Sequence, residues 1–334
     1  MALQQVTGKS GLDLITREVI INALTSATRE MAVILAQSSY SPILNEGLDF
    51  SCAIFTAQGD LATQNEGCPV HLGAMHHSVK SCIEEIGLET MRPGDVYIAN
   101  DPYHGGSHLP DITMFSPVFV GDDLIAFVGN RAHHPDVGGM CPGSLCAGAS
   151  ELIQEGVVIP PLRLFEGGEP DEKILKLLCA NMRSPRYFRA DSLAQVASLR
   201  MGEKRVRELV GRYGVDRLVR GIDSVIKYSE DRLRRAIAET PDGVYRFIDY
   251  IEERGPGDPE PILIHLELTV QDDELIFDYR KTGPAAQFPL NCPYAVTASG
   301  TYAGVKCVLA PDIPANVGAF RPITILTTPG SLLD

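Results

Sequence analysis

The chain has 334 residues, of which 44% are hydrophobic and 22% charged, a composition typical of a globular protein with a sizeable core. Its formal net charge of -14 argues against nucleic acids and anionic membranes as partners, and no cluster of Lys and Arg indicates either. No uninterrupted apolar stretch approaches about 20 residues, so we expect no membrane span. The first residues lack the basic start and apolar run of a signal peptide, which predicts a cytoplasmic protein.

Apolar periodicity and turn residues divide the first half of the chain into alternating helices and strands. The predicted elements are a helix at 12–38, a strand at 49–55, a helix at 71–86, and strands at 96–99, 112–120 and 124–129. The last two strands flank the turn Gly121-Asp-Asp123, so we expect an antiparallel hairpin there. Residues 138–150 are too rich in glycine for regular structure and resemble a ligand-binding loop.

The second half of the chain begins with a helical block at about 170–240 and then turns to strands. The predicted helices lie at 170–181, 190–213 and 216–239, and the predicted strands at 244–251, 262–270 and 274–279. The expected fold class is α+β, mixed, with a largely antiparallel β core. We divide the chain into an α+β region bearing the candidate site at 1–165, a helical region at 166–242 and a β-rich region at 243–334. Because no tapering helix or polar tail follows Pro329-Gly, we expect part of a larger subunit, truncated at its C-terminus.

Seven of the eight histidines lie between residues 71 and 134, and two segments there are suited to hold a metal ion. In the first, at 101–111, His108 and Asp111 are three residues apart, a spacing that suits a tight turn. In the second, at 130–136, His133 or His134 can add another imidazole. The predicted hairpin brings both segments to one end of a sheet, because one segment precedes its first strand and the other follows its second. Two imidazoles and a carboxylate are typical ligands of a catalytic Zn, Mn or Fe ion.

Several interpretations of these residues stay open on spacing alone. A hydrogen-bonded loop cluster would use His and Asp in the same way, because both satisfy buried turns. His104 could be a fourth ligand, a partner of a ligand or a general base. His133 and His134 compete, because adjacent strand residues point to opposite faces. Asp49, at the start of a strand, is most simply a turn or cap carboxylate.

The eight cysteines are scattered without a Cys-x-x-Cys pair, and we expect reduced, mostly buried thiols. A rival hypothesis is a cysteine hydrolase that pairs Cys141 or Cys146 with His133 or His134, although the flanking residues match no signature. The chain also has no G-x-x-x-x-G-K-[ST] loop to cradle phosphates. Any chemistry with ATP would therefore need a second protein.

Longer motifs make the sequence similar to the hydantoinase B family, whose relatives include 5-oxoprolinase, N-methylhydantoinase B, caprolactamase B and subunits of acetone and acetophenone carboxylases. The resemblance covers nearly the whole chain. It is carried by Asp49-Phe-Ser-Cys-Ala53, Pro69-Val-His-Leu-Gly73, Asn100-Asp-Pro-Tyr-His-Gly-Gly-Ser-His-Leu-Pro-Asp111, Arg131-Ala-His-His-Pro-Asp-Val-Gly-Gly139, Glu151-Leu-Ile-Gln-Glu-Gly156, Asn181-Met-Arg-Ser-Pro185, Pro311-Asp-Ile-Pro-Ala-Asn-Val-Gly318 and Phe320-Arg-Pro322. Members of the family usually run well beyond the point where this chain stops.

The resemblance implies a divalent metal held by an Asp, a His-x-x-Asp pair and a further His, which correspond here to Asp49, His108, Asp111 and His133. It also implies a hetero-oligomer with an ATP-using A subunit of the hydantoinase type. The implied reaction is hydrolysis of a small cyclic amide or lactam, phosphorylated by the partner. We assign His104 and His134 to proton transfer, because neutral histidine works near physiological pH. The alternatives are a subunit of an ATP-dependent carboxylase and a non-catalytic scaffold whose metal only joins loops.

Overall fold

A computed structural model describes residues 14–65, 67–255 and 257–334. The predicted first helix is present as α1 (Leu14–Ser38), and its expected start at residues 12–13 lies outside the described residues. The remaining helices are α2 (Pro42–Asn45), α3 (His71–Ile86), α4 (Leu152–Glu155), α5 (Glu172–Asn181), α6 (Pro185–Tyr213), α7 (Val215–Ala238) and α8 (Tyr294–Leu309). Short 3₁₀ turns lie at Leu88–Thr90, Pro102–His104 and Val317–Ala319. The predicted helical block is confirmed as α5, α6 and α7.

A seven-stranded sheet forms the centre of the molecule, with strand order β2-β1-β5-β4-β3-β6-β7. Its strands are β1 (Phe50–Thr56), β2 (Leu61–Gln64), β3 (Val96–Ala99), β4 (Asp111–Val120), β5 (Asp123–His133), β6 (Leu162–Glu166) and β7 (Glu169–Pro170). Every neighbouring pair in this sheet is antiparallel. The predicted hairpin is confirmed as β4 and β5, and the α+β class with a largely antiparallel core is confirmed as well.

A second sheet of four strands, in the order β11-β10-β9-β8, lies in the last third of the chain. Its strands are β8 (Gly243–Ile251), β9 (Ile262–Gln271), β10 (Glu274–Asp278) and β11 (Ile323–Leu326). The first three pair antiparallel, and β11 adds to β10 in parallel. The strands β8, β9 and β10 match the prediction, whereas the 16-residue α8 lies in a region expected to be rich in strands.

The central sheet is covered on both faces, because successive residues of a strand point to opposite sides. In β1, Ile54 belongs to one hydrophobic cluster with residues of α1, α6 and α7. Its neighbours Ala53 and Phe55 belong to a second cluster with residues of α3, α8 and the four-stranded sheet. Each cluster draws on more than one of the three regions proposed from the sequence, so that division stays a prediction.

Helix α1 is long and apolar enough, by length and composition alone, to cross a membrane. Its buried side chains include Ile20, Leu24, Met31 and Leu35, which belong to the cluster shared with α6 and α7. A core helix of a globular protein passes the same test of length and composition. The expectation of no membrane span therefore stays a prediction.

Candidate metal centre

Register between neighbouring strands brings the two histidine segments together. Asp111 begins β4 and His133 ends β5, and the two residues lie opposite each other in the antiparallel ladder. The backbone N–H of His133 donates to the carbonyl of Asp49 at 3.0 Å, and that of His134 donates to the carbonyl of Pro110 at 2.8 Å. Three separated loops are therefore fixed to one end of the sheet by backbone hydrogen bonds.

A tight turn presents the His108 imidazole to the same place. The N–H of Asp111 donates to the carbonyl of His108 at 3.0 Å, which closes the turn across Pro110. The loop that precedes it is pinned by Asn100, whose side-chain amide donates to the carbonyls of Leu109 at 2.8 Å and Val157 at 2.9 Å. The His-x-x-Asp spacing thus has the geometry expected from the sequence.

Two imidazoles and one carboxylate converge on one point. Nε2 of His108 and Nδ1 of His133 lie 2.9 and 3.0 Å from Oδ1 of Asp111. The two ring nitrogens are 3.1 Å apart. We call these three residues the primary cluster. Three potential ligand atoms this close, one of them a buried carboxylate oxygen, are the donor set that a divalent transition metal accepts.

Two more side chains border the primary cluster. Asp49, expected to be a ligand, places Oδ2 at 3.9 Å from Nδ1 of His133. His71 is not among the residues predicted for the site, yet its fully buried ring places Nε2 at 3.5 Å from Oδ2 of Asp111. Within the described part of the chain this Nε2 has no hydrogen-bond partner. A buried imidazole nitrogen whose nearest polar neighbour among the described residues is the Asp111 carboxylate at 3.5 Å fits a metal centre, because an incompletely satisfied polar atom otherwise costs free energy.

The electrostatics of the cluster keep Asp111 ionised. Burial alone would raise its pKa, but the contacts with His108, His133 and His71 outweigh burial and hold the pKa well below the usual range. The hydroxyl of Ser107 also donates to Oδ2 of Asp111. The result is a charged carboxylate in a nearly dry setting, which attracts a cation.

Neither histidine assigned to proton transfer lies in the primary cluster. His104 is 41% exposed and pairs with Asp101 at 3.0 Å and Glu85 at 3.4 Å. His134 points to the opposite face of the sheet, where Nε2 lies 2.9 Å from Oε1 of Gln195. Burial lowers the pKa of His134, so its ring is neutral at physiological pH. The strand alternation expected for His133 and His134 is confirmed, and the geometry gives no support to proton transfer by His134 at this cluster.

A cavity of about 940 Å³ opens beside the cluster, with His108 and Ser107 in its wall. One side is a stripe of α3 side chains, His77, Lys80, Ser81 and Glu84, which fall on one helix face. Further parts of the wall come from residues within 144–155 and 285–295. The site thus offers room for a small molecule next to the candidate ligands.

The glycine-rich loop predicted to bind ligand lines this cavity through residues 144–150. The sulfurs of Cys141 and Cys146 in this loop lie in contact, with their Cα atoms 5.4 Å apart, a separation that allows a disulfide. The expectation of eight reduced cysteines stays a prediction. The cysteine-hydrolase interpretation stays a hypothesis.

Replacing Asp136 with Asn is expected to loosen the glycine-rich loop. The buried carboxylate accepts hydrogen bonds from the N–H groups of Gly138, Gly143 and Arg183 and from the Arg183 guanidinium. Burial alone would raise the pKa of Asp136, but these hydrogen bonds lower it. The asparagine should reduce the free energy of unfolding by about 1–3 kcal/mol and speed proteolysis within 138–150.

The pH dependence of that loss follows from the lowered pKa. Because the folded state holds Asp136 ionised more firmly than the unfolded state, its stabilisation is present above the ordinary carboxyl pKa. It disappears as the pH falls through the lowered value, so wild type and variant should converge in acid. Denaturant unfolding at several pH values measures this, with the exposed Asp223→Asn on α7 as the matched control. Equal stability of the Asp136 variant and wild type at neutral pH would contradict the assignment.

Comparison with known proteins decides the family. The model of the hydantoinase B/oxoprolinase family matches residues 13–334. The chain belongs to this family. The resemblance inferred from the motifs is therefore confirmed over the whole described region.

Named relatives are about one-third identical to this chain over the aligned residues. A protein of Methanocaldococcus jannaschii, named only as uncharacterized, is 36% identical over 97% of this chain. The B-type subunit of a putative D-/L-hydantoinase from a Pseudomonas species is 32% identical over 97% of the chain. The alignments cover 57% of each of these two relatives, so the chain spans a little over half of their length.

Two solved structures have the same architecture as this chain. The ATP-dependent caprolactamase from Pseudomonas jessenii superposes with a TM-score of 0.92 at 30% sequence identity. The match covers 97% of this chain and 56% of the caprolactamase chain. Nucleotide-free acetone carboxylase superposes with a TM-score of 0.89 at 21% identity, which shows a shared fold.

Proposed function

We propose that this chain is the metal-bearing B subunit of an ATP-dependent amidohydrolase of the hydantoinase and oxoprolinase type. The observation that carries the proposal is the convergence of His108, Asp111 and His133 beside a cavity, in a member of this family. Its substrate would be a small cyclic amide or lactam. The names of relatives, which are subunits of a putative hydantoinase and of a caprolactamase, support this class of substrate.

The side chains of the primary cluster would hold the cation, and Asp49 would complete its surroundings. When bound, a divalent ion such as Zn, Mn or Fe supplies Lewis acidity, which polarises a carbonyl oxygen and makes water more acidic. The chain itself would orient the substrate in the cavity, whose wall includes the polar stripe of α3 and residues within 144–155 and 285–295. His104 is the remaining candidate for proton transfer, with Asp101 fixing one ring nitrogen.

The ATP-dependent step belongs to a partner in this proposal. An amide carbon is a poor electrophile, and phosphorylation of its oxygen supplies a good leaving group. Because this sequence contains no phosphate-binding loop, we assign phosphorylation to an A-type subunit in a cytoplasmic hetero-oligomer. The names of the two relatives support such an assembly, because each describes one component of a larger enzyme.

Replacing His108 with Ala separates catalysis from scaffolding. We expect turnover in the assembled complex to fall by more than about 100-fold, because loss of a ligand costs more than loss of the groups that orient one. The melting temperature should change little, since His108 is a partly exposed loop residue. The measurements are product formation with ATP and the partner, metal content and thermal unfolding.

His265→Ala on β9 is the matched control, because that half-buried histidine lies in the other sheet. If the metal only joins loops, His108→Ala should lose thermal stability in step with turnover. That result would contradict the proposal. Incorporation of labelled bicarbonate into product would contradict it in favour of a carboxylase component.

A further inference from the structure

A second set of donor atoms lies next to the primary cluster. Asp49, Cys68 and His71 each offer one ligand atom, and these atoms all lie within 4.8 Å of one another. Carboxylate oxygen, thiol sulfur and imidazole nitrogen are the three ligand types that zinc takes from proteins. Cys68 and His71 are three residues apart, at the turn that leads into α3, where the N–H of His71 donates to the carbonyl of Cys68 at 3.0 Å.

The state of His71 points to a ligand rather than to a packed core residue. Its side chain is only 1% exposed, and Nδ1 lies 3.0 Å from Oγ of Ser51, which fixes the ring. The other nitrogen, Nε2, has no close hydrogen-bond partner among the described residues and lies 3.5 Å from Oδ2 of Asp111. An orienting partner on one nitrogen with the second nitrogen left open is the arrangement of metal-binding histidines.

Asp111 stands between the two sets of donors. Its Oδ1 faces His108 and His133, at 2.9 and 3.0 Å, while its Oδ2 lies 3.5 Å from Nε2 of His71. Asp49 also borders the primary cluster, 3.9 Å from His133, so its carboxylate would be shared between the two sets of donors. One carboxylate with each oxygen turned to a different donor set is suited to lie between two cations.

We propose that Asp49, Cys68 and His71 form a second cation site, of the kind that binds zinc, next to the primary cluster and separated from it by the Asp111 carboxylate. This goes beyond the proposed function, and the site does not depend on the reaction being amide hydrolysis. A sulfur ligand distinguishes it from the primary cluster, whose donors are nitrogen and oxygen alone. Soft or borderline ions that accept thiolate, Zn²⁺ and Co²⁺ among them, should prefer it.

Cobalt(II) titration of the chelator-stripped full chain tests the site without using activity. We expect two equivalents to bind per chain, with a sulfur-to-cobalt charge-transfer band in the near ultraviolet from one of them. Cys68→Ser should lose that band and one equivalent, and keep the visible cobalt bands of the primary cluster. Cys307→Ser, a change of an exposed thiol on α8, is the matched control and should retain both.

His108→Ala separates this proposal from the proposed function. The His108→Ala variant should bind one equivalent of cobalt fewer and keep the charge-transfer band. If the assembled complex does not open cyclic amides, the proposed function fails, but the band should still be present. Binding of a single equivalent without the band in the wild-type chain would overturn the second site. A band that persists in Cys68→Ser would overturn it too, because the sulfur would then come from another cysteine.

Discussion

Asp111→Asn should lose metal affinity and turnover together, each by more than about 100-fold. Asp111 is the only residue in the described site that contacts both His108 and His133 with one oxygen and approaches His71 with the other. The asparagine has nearly the same shape, but it removes the negative charge and can turn an N–H toward the imidazoles. Losing the groups that orient a ligand already costs about 10–100-fold, so losing the ligand itself should cost more.

Metal content by elemental analysis and turnover with the ATP-using partner measure this effect. Asp122→Asn, at the exposed β4–β5 turn of the same hairpin, is the matched control and should behave as wild type. The far-ultraviolet circular dichroism spectrum should be unchanged in both variants. Full metal occupancy and full activity of Asp111→Asn would contradict a role of the primary cluster in metal binding and catalysis.

Arg131→Met should destabilise the protein by at least about 3 kcal/mol and reduce turnover as well. Arg131 is fully buried on β5, and no carboxylate of the described residues lies within ion-pair distance of it. Its guanidinium instead donates to polar groups of three elements around the site: the hydroxyls of Thr113, Ser78 and Ser107 and the carbonyls of Ala74 and Gly105. Burial lowers the pKa of Arg131 to about 10, so the group stays charged at neutral pH.

The expected loss has a local cause. Methionine fills part of the space but leaves several buried acceptors without a donor, and each such group costs about 1–3 kcal/mol. Ser107, which also donates to Asp111, loses its contact with the guanidinium, so the carboxylate should be held less firmly. Denaturant unfolding and metal affinity report the two effects. The matched control is Arg220→Met, which changes an exposed arginine of α7 that donates to the carbonyl of Asp216 in its own helix. Wild-type stability of the Arg131 variant would contradict this account.

The part of the site that lies on the β4–β5 hairpin could be predicted from the sequence, because local rules fix it. Alternating apolar residues and the turn at 121–123 set the pairing, and the pairing places Asp111 opposite His133. The His-x-x-Asp turn is likewise local, since four consecutive residues decide it. Strand alternation then separates His133 from His134.

His71 could not be assigned from local pattern, because its place depends on how α3 packs on the sheet. Gly105 shows how tight that packing is: a Cβ at this position would clash with the backbone N of Ser78, and its φ of +82° suits glycine. The only sequence signal was the motif at 69–73, which resembles the family without saying what His71 does. Sequence periodicity and spacing do not predict contacts between elements that are distant in sequence.

Helix α8 was missed for a related reason. Its sequence is rich in Thr, Val and Gly, residues that favour strands or turns over helices, and it has no polar stripe. Tertiary burial overrides that preference, because Ala298, Tyr302 and Val305 pack in the cluster shared with α3. Intrinsic secondary-structure propensity therefore predicts little for a segment whose side chains are buried against other elements of the fold.

Anomalous diffraction from crystals of the metal-loaded chain tests the central claim most directly. The account predicts a peak at the metal's absorption edge among Nε2 of His108, Oδ1 of Asp111 and Nδ1 of His133. The peak should vanish in crystals of Asp111→Asn. A fully loaded, active protein whose anomalous peaks all lie away from these three atoms would contradict the claim.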